Sequence, residues 1–109
     1  MTAAEFRRIA LSFPETEERA HMNHPDFRVR GKIFATLSYP DAGWGMVKLS
    51  PEQQQNYLDV APEVFEPAAG AWGRGGATMV RLKAAKKTVL KKALETAWKE
   101  VSEGKKRKK

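Results

Sequence analysis

The 109-residue sequence contains no cysteine. This absence excludes a disulfide framework, a zinc site built on thiolates and a cysteine nucleophile, and it fits a reducing compartment. Long apolar runs are also missing, because no segment approaches the roughly 20 apolar residues that a membrane-spanning helix requires. Glu5, Arg7 and Arg8 interrupt the first residues, where a secretory signal would need an apolar core. We therefore expect a soluble, cytoplasmic protein that makes no use of a membrane.

Positive charge is abundant, but most of its excess is confined to one short segment. The formal net charge is +7, and the last six residues, GKKRKK, carry five positive charges. Residues 1–103 therefore carry a net charge of only +2. The apolar fraction of 41% is typical of a globular chain. The composition predicts one compact domain over residues 1–103 and a disordered polybasic tail over residues 104–109.

The pattern of apolar residues and turn signals predicts an α+β fold with an antiparallel sheet. A helix over 2–11 is indicated by a capping box of Thr2 and Glu5, and a helix over 51–59 by Ser50 and Gln53 on either side of Pro51-Glu52. A longer amphipathic helix is predicted over 85–103. Short runs between turn residues predict strands at 21–23, 26–30, 32–39, 44–50 and 78–83, with 63–67 either a strand or an extended linker. The order is α-β-β-β(-β)-α-β(-β)-α.

The dipeptide Arg30-Gly31 predicts a tight turn between two of these strands. If the turn has two residues, Phe27 faces Phe34 and Val29 faces Lys32. A three-residue turn would shift this register.

The stretch GAWGRGG, residues 70–76, raises the question of a phosphate site. Its glycine spacing matches neither the P-loop nor the dinucleotide-binding pattern, and a strand is predicted to follow it. We favour the alternative, in which the glycines supply tight bends and Trp72 covers the core. Arg74 is then the side chain of this stretch that faces a ligand.

Residues that could perform chemistry form no recognisable site. His21 and His24 are expected on opposite faces of a strand, with few carboxylates nearby, so we predict turn histidines rather than a metal site. No arrangement of serine, histidine and acid is evident, and Tyr39 and Tyr57 are expected to pack. We predict no catalytic residue, no metal and no cofactor.

Basic side chains near the predicted strand ends suggest contacts with nucleic acid. On one sheet face or at the hairpin tips they could follow a phosphate backbone, with Trp44 or Trp72 stacking on bases. The alternative is that they solvate a face that also carries Asp26 and Asp41. Lysines also crowd the start of the last helix, where a bound anion or ordinary solvent would relieve their repulsion from the helix dipole. The candidate nucleic-acid-binding residues are Arg28, Arg30, Lys32, Lys48, Arg74, Lys86, Lys87, Lys105, Lys106, Arg107, Lys108 and Lys109.

Several segments, taken in order, resemble the MmcQ/YjbR family of small bacterial proteins. They are FPETEERAHMNHPDFRVRGKIFATL at 13–37, AWGRGG at 71–76, MVRL at 79–82 and a lysine-framed helix that contains ALETAW at 93–98. The resemblance extends over about residues 3–103. Its most specific parts are HPDFRVRGKIFATL and the pair Trp72-Gly73.

The resemblance implies a two-layer unit similar to the bacterial frataxin and secretion-chaperone type, with an antiparallel sheet and helices packed on one face. The family is often labelled DNA-binding, through a proposed double-wing arrangement of its sheet, and the resemblance implies no catalytic residue. The family pattern has Gly-Trp before the last strand, where this chain has Gly76-Ala77. That difference removes one aromatic candidate for base stacking.

Together these features predict a non-enzymatic domain that binds nucleic acid weakly and with little sequence preference, DNA being expected rather than RNA. The tail is the electrostatic anchor, and the hairpin arginines are secondary contacts. The alternative is a protein-interaction or chaperone-like adaptor that receives a partner on the sheet face or edge. It requires an exposed apolar patch containing Trp44, Met46 or Phe34. A monomer is expected rather than an oligomer.

Overall fold

The computed structural model describes residues 1–21, 23–38 and 42–103. The predicted tail at 104–109, together with Tyr39 and Asp41, lies outside the described residues. The elements, in chain order, are α1 (Ala3–Ala10), β1 (Thr16–His21), β2 (His24–Val29), β3 (Lys32–Leu37), β4 (Trp44–Lys48), α2 (Pro51–Val60), β5 (Phe65–Pro67), α3 (Gly70–Arg74), β6 (Ala77–Arg81) and α4 (Lys87–Ser102).

Capping boxes start the first two helices, as the sequence predicts. The Glu5 backbone N–H donates to the Thr2 hydroxyl at 3.1 Å, and the Glu5 carboxylate accepts from the Thr2 backbone N–H at 3.0 Å. This second bond is the main reason that the pKa of Glu5 is lowered. Ser50 and Gln53 form the same reciprocal pair at the start of α2. Both boxes satisfy backbone donors that a helix start otherwise leaves unpaired.

Six strands form one antiparallel sheet in the order β1-β2-β3-β4-β6-β5. Helices α1, α2 and α4 pack on one face, and β1 and β5 lie at the two edges. The buried core between these layers holds Phe6 from α1, Phe27 and Phe34 from the sheet, and Leu90 and Leu94 from α4. The predicted two-layer α+β architecture is confirmed.

The opposite face of the sheet, which we call the open face, has a small apolar cluster of its own. Met46, Ala77 and Met79 are buried there, with Trp44 and Ala68 packed against them. Their register explains the grouping, because Met46 pairs with Met79 and Trp44 pairs with Arg81 across β4 and β6. Side chains that are directly opposite in a ladder point to the same face.

The predicted register between β2 and β3 is half right. Arg30 and Gly31 both have positive φ, 53° and 82°, and form the two-residue turn that pairs Val29 with Lys32. Phe27, however, lies opposite Ala35 and not Phe34. A β-bulge places one extra residue of β3 opposite the junction between Phe27 and Arg28, so the ladder shifts by one position.

The structure also differs from the sequence-based expectation in the bounds of β1 and α4 and in the presence of α3. Strand β1 is Thr16–His21 rather than 21–23, because a polar edge strand, TEERAH, gives no apolar alternation to recognise. Helix α4 starts at Lys87 rather than 85, after a 3-10 turn at Leu82–Ala84. Helix α3 was not expected at all.

Of the helices in the described part of the chain, none combines the length and the apolar content that crossing a bilayer requires.

Candidate nucleic-acid interface

The glycine-rich stretch is a short helix clamped to α2, not a simple bend. Helix α3 covers Gly70–Arg74 and ends where the Gly75 N–H donates to the Ala71 carbonyl. The buried Gln54 side chain of α2 donates to the carbonyls of Gly73 and Ala77, both at 3.0 Å. These two bonds fix both ends of the connection from α3 into β6.

Two of the glycines are required by close backbone packing. A Cβ atom at Gly73 would lie 1.8 Å from the Ala68 carbonyl oxygen. Gly76 has φ +113°, and a Cβ atom there would lie 1.9 Å from the Leu49 carbonyl oxygen. The prediction that the glycines serve backbone geometry agrees with these distances.

The expectation that Trp72 covers the core is wrong. Its side chain is 61% exposed. The adjacent Gly73 is the residue of α3 that faces inward, and it is pressed against the Ala68 backbone. Because that contact leaves no room for a side chain beneath α3, Trp72 lies on its outer side.

The other two tryptophans are engaged within the fold. Trp98 packs against Phe13, with ring centroids 5.6 Å apart, and its Nε1 donates to the Pro14 carbonyl at 3.0 Å. Trp44 lies under the Arg81 guanidinium, 4.8 Å from the ring centroid. Of the two tryptophans predicted for base stacking, Trp44 is thus covered on one face by a cation, while Trp72 is exposed.

One end of the sheet collects elements that are distant in sequence, and we call it the hairpin end. The β2–β3 turn lies there, as do the last residue of β4, Lys48, and the first residue of β6, Ala77, which are paired. The Leu49 N–H donates to the Gly76 carbonyl, which brings α3 to the same end. Helix α4 also ends there, because Val101 and Ser102 line a shallow depression with residues 29, 30 and 32.

Four of the predicted basic residues lie at the hairpin end: Arg30, Lys32, Lys48 and Arg74. All four are exposed. Three carboxylates lie at the same end. Glu15 forms an ion pair with Arg30 at 2.9 Å. Glu52 is in the first turn of α2, and Glu103 follows α4. The described charges of the hairpin end are therefore close to balance. The chain continues from Glu103 into Lys105, Lys106, Arg107, Lys108 and Lys109.

Arg28 is placed differently, on the open face, and forms a two-pronged ion pair with Asp26. The guanidinium donates to both carboxylate oxygens, at 2.8 and 3.1 Å, and Asp26 is completely buried. These hydrogen bonds are the main reason that the pKa of Arg28 is raised. Asp26 thus balances the charge of Arg28 on the open face, as the alternative in the sequence analysis expected. Arg28 thus stabilises the sheet through Asp26.

Lys86 and Lys87 lie at the opposite end of the molecule from the hairpin end. Helix α4 separates them from Ser102, and its 16 residues span about 24 Å. The Thr2 backbone hydrogen bond is the main reason that the pKa of Glu5 on α1 is lowered, and the charge of Lys87 makes a smaller contribution in the same direction.

Residues 11–100 match the YjbR family. The chain belongs to that family. Its structure is similar to the crystal structure of the Deinococcus radiodurans protein DR2400, whose domain is described as DUF419, with a TM-score of 0.77 and 15% sequence identity. The alignment covers 93% of this chain and 78% of the other. A similarity at this identity shows the fold, and no match was found among curated proteins.

The region that matches YjbR includes the candidate residues from Arg28 to Lys87 and leaves out the basic residues 105–109.

The two histidines also lie within the matched region. His21 and His24 pair across the β1–β2 turn, which agrees with the prediction of turn histidines, although they lie on neighbouring strands and not on opposite faces of one strand. Within the ranges that the structure describes, no three His, Cys, Asp or Glu residues are grouped as metal ligands.

Gln54, which no sequence signal marked, supports the backbone beneath α3 in this YjbR protein. We expect Gln54→Ala to lower the free energy of unfolding by about 1–3 kcal/mol, because two buried hydrogen bonds are lost. Denaturant unfolding measures the change. The neighbouring Gln55→Ala is the control, since Gln55 is exposed and its side chain donates to Asp59 on the same helix. This substitution should change the free energy of unfolding by less than about 0.5 kcal/mol. Equal effects of the two substitutions would contradict the clamp.

Proposed function

We propose that this YjbR-family protein is a non-enzymatic nucleic-acid-binding protein that contacts a phosphate backbone at its hairpin end, with little sequence preference. One observation carries the proposal. The fold brings Arg30, Lys32, Lys48 and Arg74 from three separate parts of the chain to the end at which α4 leads into the basic residues 105–109. Positive charge gathered in this way is the electrostatic requirement for holding a polyanion.

The basic residues that follow α4 in the sequence carry most of the excess positive charge of the chain. Glu15, Glu52 and Glu103 offset most of the charge that the described residues supply at the hairpin end. In the sequence, five basic residues at 105–109 follow Glu103 and Gly104, and the proposal assigns the excess positive charge to them. Binding of such charges to DNA releases counterions, and affinity therefore falls steeply with salt.

The salt dependence of binding to a short DNA duplex tests the proposal. If the five charges after α4 are all engaged, the slope of log affinity against log salt should be about −4 to −5. Changing four of those lysines to glutamine should reduce the magnitude of the slope by about 3 to 4. The variant carries Lys105→Gln, Lys106→Gln, Lys108→Gln and Lys109→Gln, and affinity is measured between low and moderate salt.

A matched control removes the same charge from elsewhere on the surface. Lys83, Lys86, Lys91 and Lys92 are exposed and lie outside the hairpin end, and their joint change to glutamine gives the same net charge. This control should alter the slope by less than about 1. Equal slopes for the two variants would show that only net charge matters, and a shallow slope for the unaltered chain would refute the proposal.

The open face gives weaker support to the alternative of a protein partner. Phe34 was expected in an exposed apolar patch, but it is fully buried in the core between sheet and helices. Met46 and Met79 do lie on the open face, yet they are only 6% and 7% exposed. The apolar cluster therefore presents little surface for an apolar partner, and we favour the nucleic acid.

A further inference from the structure

The three tryptophans differ in how much of each ring is accessible. Trp98 is packed and hydrogen-bonded within the fold, and Trp44 is covered on one face by the Arg81 guanidinium. Trp72 is 61% exposed on α3, at the hairpin end. Exposed aromatic rings beside positive charge are the means by which proteins hold unpaired bases.

We infer that Trp72 is a stacking platform for an unpaired base, and that the nucleic-acid ligand of this protein is single-stranded. The inference rests on the proposed function and specifies its ligand. Bases in a duplex are already stacked on one another, so a side chain on a surface helix reaches only their edges. In a single strand each base presents a face on which an indole can stack.

The backbone beneath Trp72 is held in place before any ligand arrives. Gln54 binds the carbonyls that flank the end of α3, and the Gly76 N–H donates to the Gly73 carbonyl at 3.1 Å. The close approach of Gly73 to Ala68 prevents α3 from rolling inward. A fixed platform costs little conformational entropy on binding, which favours a single exposed ring as a useful contact.

Exposed positive charge lies at the same end of the molecule as Trp72. Arg74 is two residues beyond Trp72 and is exposed. Lys48 lies at the same end of the sheet, opposite Ala77 at the start of β6. These cations favour a nucleic-acid strand, whose phosphates they can pair with, over an apolar peptide, which carries no negative charge.

The test compares three ligands at one salt concentration with the full chain. They are a short oligothymidylate, an abasic strand of the same length and a DNA duplex. Trp72→Ala should weaken binding of oligothymidylate roughly 5- to 100-fold and leave binding of the abasic strand and the duplex unchanged. Trp72→Phe, which keeps an aromatic face, should stay within about threefold of the unaltered protein on all three ligands.

The thermal midpoint of both variants should match that of the unaltered chain, because an exposed side chain contributes little to folding. Trp fluorescence adds a second readout, since quenching by oligothymidylate should be largely lost in Trp72→Phe. An equal loss on the abasic strand, or no loss on oligothymidylate, would overturn the inference while leaving the hairpin end as a phosphate site. If none of the three ligands binds at low salt, the proposed function itself fails.

Discussion

Replacing Gly76 by alanine is expected to destabilise the protein severely. Gly76 has φ +113°, a conformation that side chains other than glycine rarely adopt. The added Cβ atom would also lie 1.9 Å from the Leu49 carbonyl oxygen, which belongs to the backbone and cannot rotate away. Strain and overlap together should cost more than about 4 kcal/mol, a large part of the stability of a domain of this size.

The control for this prediction is the preceding residue. Gly75 has ordinary helical φ, and a Cβ atom there would meet its nearest neighbour, the Ala71 carbonyl oxygen, at 3.5 Å. Gly75→Ala should therefore change the free energy of unfolding by less than about 1 kcal/mol, and a small gain is expected from the lower entropy of the unfolded chain. Circular dichroism and denaturant titration compare the two variants. A Gly76→Ala protein as stable as the unaltered chain would contradict the prediction and show that α3 can move away from the β4–α2 junction.

Arg28→Met is expected to lower the free energy of unfolding by about 3–5 kcal/mol, although the residue lies on the open face. The substitution keeps the aliphatic stem and removes the guanidinium that binds both oxygens of the buried Asp26. A carboxylate that is 0% exposed cannot recover that loss from water. Denaturant unfolding of the full chain measures the effect.

Arg30→Met is the comparison, because its ion pair has nearly the same length as that of Arg28 with Asp26 but is exposed to solvent. The Arg30 guanidinium binds Glu15 at 2.9 Å, but both side chains are more than 60% exposed. An exposed pair of this kind contributes about 0–1 kcal/mol, because water solvates each ion once the partner is removed. Comparable losses for the two substitutions would indicate that the burial of Asp26 has no energetic consequence.

Local signals were sufficient to predict much of the fold. The capping boxes at Thr2 and Ser50 depend on neighbouring residues alone, and both helices start where they indicate. Strand β1 could not be recognised, since an edge strand with polar side chains lacks the alternation that marks a half-buried strand. The bulge beside Phe27 was equally invisible, because it depends on how two strands fit and not on either strand by itself.

The candidate site required knowledge of topology that the sequence does not contain. Lys48 and Arg74 are brought to one end because β4 pairs with β6, while β5, which precedes β6 in the chain, lies outside it at the edge. The exposure of Trp72 depends on a contact between Gly73 and Ala68. The density of glycines around Trp72 was the signal for such a contact, but it does not say which side of the helix faces the protein.

The outer strands of the sheet have a consequence for how the molecule behaves at high concentration. On one side, β1 carries Glu17, Glu18 and Arg19 in succession. On the other side, β5 has three residues and ends at Pro67, which has no amide hydrogen to offer. Both edge strands disfavour pairing with a strand of another molecule, so this sheet is a poor template for fibril growth.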